Sequence, residues 1–404
     1  MEALVIILVC LTASYLLGEF FEGLQLPRVL GSLLVGVFLG LPLIQLQFFD
    51  PFSENLLLAF ADLGVIFIMF YVGIRLDLTE IKNSSKSAGY IALFNAVVPF
   101  VFGFLAVKLL ALLGLIHVAN PNIVGLIVGG IIAVTAETES IDLLSNFRLL
   151  KSKIGKTIIA ADLFDNIVEA LLVSFIVTFI HYLQTPVYGI LIIVFDAILF
   201  FILVYLSGYI IVPFLMKFIS RRQPKIDLFI VSLILSLFMA VISEYMGLGS
   251  IIGALLAGMI MNYAILKDGK KDKYERQIIE AIELTTFGFM APFFFIWVGM
   301  HANFSFLITN PWLGIIIIVA ALGGKLIGSI IGTALSKGTL VEALTIGWAM
   351  NTRGAVELVV AEIARQNNII TTEIFSALVL MAFFTTIISP LFFKFYIKRY
   401  HIKA

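Results

Sequence analysis

Ala160-Ala161-Asp162-Leu163-Phe164-Asp165-Asn166-Ile167-Val168-Glu169 lies inside a long apolar run, and its reading decides the fold. Positions 162, 165, 166 and 169 recur at i, i+3, i+4 and i+7, the spacing of one helical face. That face carries three carboxylates and an amide. The surrounding run, about 154–182, is long and apolar enough to span a hydrocarbon core, where each charge costs several kcal/mol unless paired or hydrated. Carboxylate and carbonyl oxygens are the ligands that small, hard cations prefer, and the same carboxylates can hold protons. A site that takes a cation or a proton, but not both well, is the chemical core of an exchanger. The competing reading is a polar stripe that makes structural hydrogen bonds to neighbouring helices.

Composition supports a lipid solvent. The chain has 404 residues, of which 61% are hydrophobic and 13% charged. Its mean hydropathy is +1.11. A soluble domain carries roughly 25% charged residues, and no water-soluble fold could hide this much apolar surface. Formal net charge is zero with no Lys/Arg-rich arm, which excludes nucleic acid as an expected partner. A single cysteine, Cys10, excludes an internal disulfide and any zinc cluster of several cysteines. His117, His181, His301 and His401 fall near span ends or in the tail without metal spacing. No nucleophile–base arrangement is visible, so neither an enzyme nor a cofactor is expected. Glu2 precedes the first apolar run and no basic stretch does, so about 3–22 is read as a retained span.

Runs of about 20 apolar residues give about thirteen segments, near 3–22, 28–46, 55–77, 88–116, 122–146, 154–182, 187–218, 226–246, 248–267, 278–300, 311–336, 340–365 and 371–397. Loop charges test this count. Arg148, Lys151, Lys153 and Lys156 share one loop; Lys217, Arg221, Arg222 and Lys225 another; Lys270, Lys271, Lys273 and Arg276 a third. The intervening loops 47–54, 117–121, 183–186 and 301–310 contain no Lys or Arg, and Arg365 is the main exception. The positive-inside rule places the N-terminus outside and the C-terminus in the cytoplasm of a multi-pass protein in the cell membrane. Residues 1–404 read as one integral membrane domain.

Depth, at 1.5 Å per residue, brings four polar residues to one level. Asp165 lies about eleven residues into its span, and Thr135, Lys325 and Arg353 about thirteen or fourteen into theirs. The fifth segment contains Thr135-Ala136-Glu137-Thr138-Glu139-Ser140. This is either a helix broken at mid-bilayer, with carbonyls freed as ion ligands, or an intact helix whose acids face a water funnel. The twelfth contains Asn351-Thr352-Arg353-Gly354-Ala355-Val356-Glu357, and Gly354 beside polar residues again suggests a break. Arg353 and Glu357 stand at i,i+4, as a structural or gating ion pair or as direct ion contacts. With segments 1–6 and 8–13 as inverted halves around a linker, the two interrupted spans occupy matching positions, which is the sequence pointer to a transporter site. Lys325 stands alone among Gly323, Gly324 and Gly328, and Asp165 is the carboxylate at its depth.

Taken in order, these pieces resemble the monovalent cation:proton antiporter-2 family, the Kef-type and NapA-like sodium/proton exchangers. The resemblance runs nearly end to end, through Pro27-Arg28-Val29-Leu30-Gly31, Leu63-Gly64-Val65, Gly253-Ala254-Leu255-Leu256-Ala257-Gly258 and Val298-Gly299-Met300. It implies an all-α antiporter fold with two inverted six-helix repeats and crossed broken helices, and a homodimer. The dimerisation part would be about 1–86 and 226–300, the linker about 187–218, and the moving core about 88–182 and 311–397. It carries the ion site onto Asp165, Asn166, Thr135 and Lys325, with Glu137, Glu139 and Asp162 as additional acids and Na⁺ as the expected ion. Asn166 departs from the family's usual second acid, and Arg-Gly-Ala-Val-Glu departs from its frequent Arg-Gly-Glu. The expected activity is exchange of a monovalent cation for protons by alternating access across the bilayer. Alternatives are a K⁺/H⁺ antiporter, a channel-like cation pathway, or a non-transporting sensor on the same scaffold.

Overall fold

The computed structural model describes residues 2–24, 26–42, 50–76, 86–135, 140, 143–145, 147–183, 202, 224–267 and 274–400. Among these residues every regular element is helical. In chain order they are α1 (Glu2–Gly23), α2 (Val29–Leu39), α3 (Pro51–Arg75), α4 (Lys86–Leu112), α5 (Pro121–Ala133), α6 (Lys153–Leu183), α7 (Pro224–Tyr245) and α8 (Ser250–Lys267). Then follow α9 (Tyr274–Thr285), a π-helical turn (Thr286–Met290), α10 (Ala291–His301), α11 (Phe306–Thr309), α12 (Pro311–Leu335), α13 (Leu340–Ala349), α14 (Val356–Gln366) and α15 (Thr372–Arg399). Seven helical stretches among the described residues are long and apolar enough to cross a membrane.

Helix starts follow local chemistry. Asp50 caps α3, its carboxylate accepting from the Ser53 amide at 2.9 Å, with Pro51 at the first helical position. The Ser53 hydroxyl and amide together hold the exposed Asp50 carboxyl below its ordinary range. Asn120 caps α5 by accepting from the amides of Asn122 and Ile123, again ahead of a proline. Thr339 and Glu342 form a capping box at α13.

Helix interruptions are where apolar periodicity alone misleads. The 122–146 segment is helical only to Ala133 in its first part, and 340–365 is two helices, α13 and α14, with Met350–Ala355 between them. The 278–300 segment carries the π turn at Thr286–Met290, which no reading of its apolar run foresees. The linker expected at 187–218 lies outside the described residues, Ile202 excepted.

The chain divides into two compact units, Met1–Thr12 with Phe48–Asp77 and Val177–Trp297, and Ala13–Gln47 with Leu78–Ile176 and Val298–Ala404. In the first, α3 and α8 meet through Gly73 and Gly258, and Asn262 donates to the Ile74 and Leu76 carbonyls at 2.6 and 3.1 Å at the end of α3. In the second, α12 lies close along α4. A Cβ on Gly324 would stand 2.6 Å from the Pro99 Cα, and one on Gly332 2.6 Å from the Ile91 Cα. Without a hydrophobic drive between helices in lipid, such small-residue contact is what lets backbones approach and pack. Ile158 and Ala161 of α6 share a buried cluster with Ile346 of α13 and Phe393 of α15, which fixes the stretch leading to Asp165.

Candidate functional site

All of the site described here lies in the second unit. α5 ends at Ala133, and Val134 leaves the helix with an extended ψ of 145°. Thr135, the next residue, is buried. Its hydroxyl donates to Asp165 Oδ2 of α6 and accepts from Lys325 Nζ of α12. Lys325 Nζ also reaches Asp165 Oδ2 directly, at 3.3 Å. The side chains of Lys325 and Asp165 are 0% and 4% exposed. One hydroxyl just past a helix end, one carboxylate and one ammonium on two other helices thus form a closed triangle.

The second interruption abuts the first. Arg353, in the non-helical stretch after α13, donates through Nη1 to the Val134 carbonyl, the residue before Thr135. The Arg353 backbone is itself held: its amide donates to Thr386 Oγ1 of α15 at 3.3 Å, and the Thr386 hydroxyl donates to the Arg353 carbonyl at 3.1 Å. Ser140 donates to the Ala349 carbonyl at the end of α13, at 2.9 Å. Each interruption therefore supplies a side chain to a carbonyl at the helix end that opens the other.

Helix ends shape the local field. α5 and α13 both arrive with their C-terminal, partially negative ends, near Lys325 and Arg353. α14 begins at Val356 with Glu357 in its first turn, the partially positive end. Asp162 is buried one turn before Asp165 on α6. Away from α6, Ser329 donates to Asn95 Oδ1 at 2.9 Å and Asn95 donates to the Met350 sulfur at 3.2 Å, tying α4 and α12 to the second break one turn below Lys325. Asn351 donates to the Leu322 carbonyl at 3.4 Å, and its buried Oδ1 has no hydrogen-bond partner among the described residues.

Thr135, Asp165, Lys325 and Arg353, alike in depth by residue count, are thus brought together. Glu137 and Glu139 lie outside the described residues; Asn166 and Glu169 follow on α6, but their side chains also lie outside the description. Thr386, Ser140 and Asn95 were not singled out from the sequence. Thr385-Thr386 in the middle of an apolar run was the signal that could have found the first of them.

Long apolar helices, two of them interrupted where a buried acid–lysine pair sits, define a multi-pass membrane protein of the transporter class. The chain belongs to the sodium/hydrogen exchanger family: the model described as "Sodium/hydrogen exchanger, transmembrane" matches residues 5–399. It is 29% identical over 400 residues to the Na(+)/H(+) antiporter of Enterococcus hirae, covering 99% of each chain. It is 26% identical to the Na(+)/H(+)-K(+) antiporter GerN of Bacillus cereus, covering 95% of this chain and 94% of that one. In structure it is similar to the sodium proton antiporter MjNhaP1 of Methanocaldococcus jannaschii at pH 8, with a TM-score of 0.63 and 19% identity over 97% of this chain and 96% of that one. At that identity the likeness establishes the fold. The family is one of transporters, not enzymes.

Proposed function

We propose that this protein is a secondary transporter that exchanges a monovalent cation, Na⁺ in the first instance, for protons by alternating access. The observation that carries the reading is the Asp165–Lys325 pair, buried and bridged by the hydroxyl at the broken end of α5. Burial supports it: a carboxylate held away from water is stabilised by an ammonium, a proton or a small cation, and these compete for it. Glu362, also buried, pairs with Arg365 at 2.7 Å farther along α14.

In the arrangement seen, Lys325 occupies Asp165. A cation arriving at Asp165 displaces the ammonium, with Thr135, Asn166 and freed carbonyls as further ligands and Glu137 or Glu139 in support. Two positive charges at one carboxylate are unfavourable in low dielectric, so cation binding at Asp165 expels a proton from the displaced Lys325 ammonium. An uncompensated site moving through lipid is penalised, which holds the empty, deprotonated carrier in place and enforces exchange. Arg353 and Glu357 act as the structural or gating pair that keeps the breaks open.

The finer assignment to the antiporter-2 branch, the thirteen spans in inverted repeats, the outside N-terminus, the homodimer and a role in pH homeostasis belong to the same proposal. K⁺ is the second ion to test, because the name of the Bacillus cereus relative includes it. In proteoliposomes loaded with a pH-reporting dye, Na⁺ addition should drive proton flux, and Asp165→Ala should abolish it. Intact flux in that variant rules the assignment out. A series with Na⁺, K⁺ and Li⁺ fixes the ion.

A further inference from the structure

Between the second half of α4 and the first half of α12 lies a groove of about 900 Å³, walled by Phe102, Leu105, Leu109, Trp312, Ile315 and Val319. It is open at the side, and its walls are exposed: Leu105 at 55%, Trp312 at 59% and Val319 at 62%. In a membrane-spanning unit such a surface meets acyl chains. This one is concave rather than flat, and one end is charged. Lys108 lines it and donates to Asn122 Oδ1 at 2.8 Å, so the ammonium is held in place with donors to spare. Pro121, the first residue of α5, lines the same end; Asn120 already takes the first α5 amides, so the helix adds only its partial positive charge.

Depth sets what meets that end. Lys108 stands about 33 Å along α4 from Lys86, close to the ~30 Å thickness of a hydrocarbon core. The ammonium is therefore at headgroup level while the leucines below it are at acyl level. Trp312, in the first turn of α12, sits where interfacial tryptophans do. The loops at this end, 117–121 and 301–310, contain no Lys or Arg, so Lys108 faces headgroups without a neighbouring cation from them.

We infer that this groove is a binding site for an anionic phospholipid, one acyl chain lying along α4 and α12 and the phosphate on Lys108 at the start of α5. The charge complementarity selects the anionic headgroup; the length of apolar groove beneath it selects a lipid over a free anion.

The test uses Trp312 as reporter. Detergent-solubilised full-length protein is titrated with phosphatidylglycerol or phosphatidylcholine carrying brominated acyl chains, and the Trp312 contribution to quenching is taken as the difference from Trp312→Phe. Brominated phosphatidylglycerol should quench at a concentration about fivefold lower than brominated phosphatidylcholine, the worth of one lysine at a headgroup. Lys108→Gln should bring the two lipids level while Na⁺-driven proton flux persists. Without any charge change, Val319→Phe should narrow the groove and weaken quenching by both lipids. Unbrominated phosphatidylglycerol should displace the brominated lipid from the unaltered protein about fivefold better than phosphatidylcholine does. Equal quenching by the two lipids, a preference that survives Lys108→Gln, or displacement by inorganic phosphate would each overturn the inference.

Discussion

At its first interruption the chain offers a hydroxyl and a backbone carbonyl; at its second it offers a guanidinium, a carboxylate and a backbone pinned from the side. Thr135 follows a helix end and touches both members of the buried ion pair. Arg353 reaches the Val134 carbonyl and is clasped by Thr386. The first break therefore presents ligands, and the second holds the first in shape. An ion site needs both, because carbonyls freed in a membrane persist only where something else satisfies them. The difference teaches that two breaks of similar sequence character can divide chemistry from architecture.

The division is sharpest in what removal should do. Arg353→Met should have the largest effect on the fold. It removes the buried guanidinium that donates to the Val134 carbonyl, at a cost of about 1–3 kcal/mol for the buried group left unsatisfied. The thermal midpoint in detergent should fall steeply, together with the yield of monodisperse protein. A variant of unaltered stability that had lost only ion affinity would reverse the roles given to the two breaks.

Thr135→Val should act the other way. It conserves shape and leaves the Lys325–Asp165 contact possible, so stability should drop by only about 1 kcal/mol. The apparent affinity for Na⁺ should weaken about tenfold, the worth of one hydrogen bond to a charged group. Thr135→Ser should restore most of it. Proton flux at graded Na⁺ reads this directly, and an unchanged half-saturating concentration in Thr135→Val would remove Thr135 from the ligand set.

A control away from both breaks should show the smallest effect. Asp50 caps α3 in the other unit, and its carboxyl is held below the ordinary value by the Ser53 hydroxyl and amide. A carboxyl lowered on folding stabilises above its unfolded value of about 3.9 and ceases to do so as pH falls through its folded value. The thermal midpoint of Asp50→Ala should therefore trail that of the parent slightly at neutral pH and meet it in acid, with transport unchanged. A gap that widened in acid would contradict the cap.

Much of this was legible in the chain. Lys325 among glycines, three acids on one face of α6, and threonine and charge in the middle of two apolar runs each violate what lipid permits, and so each announces itself. Counting residues from span ends placed Thr135, Asp165, Lys325 and Arg353 at one depth because a helix rises by a constant amount per residue. Helix starts at Asp50, Asn120 and Thr339 were equally local, since a cap is made within three residues.

What the sequence could not give is which partner each polar group takes. Thr386 clasps Arg353 across 33 residues, Ser140 reaches Ala349 across 209, and Asn95 meets Met350 across 255. Such pairs are set by how helices rotate and cross, and apolar periodicity carries little of that where lipid wets one side and protein the other. The π turn at Thr286–Met290 is of the same kind. By itself the chain determined that it lives in a membrane and which charges are out of place, because transfer free energy depends on composition alone. Only the tertiary structure decided that a hydroxyl at one helix end would stand between an acid and a lysine drawn from two others, because that contact exists only when three backbones meet.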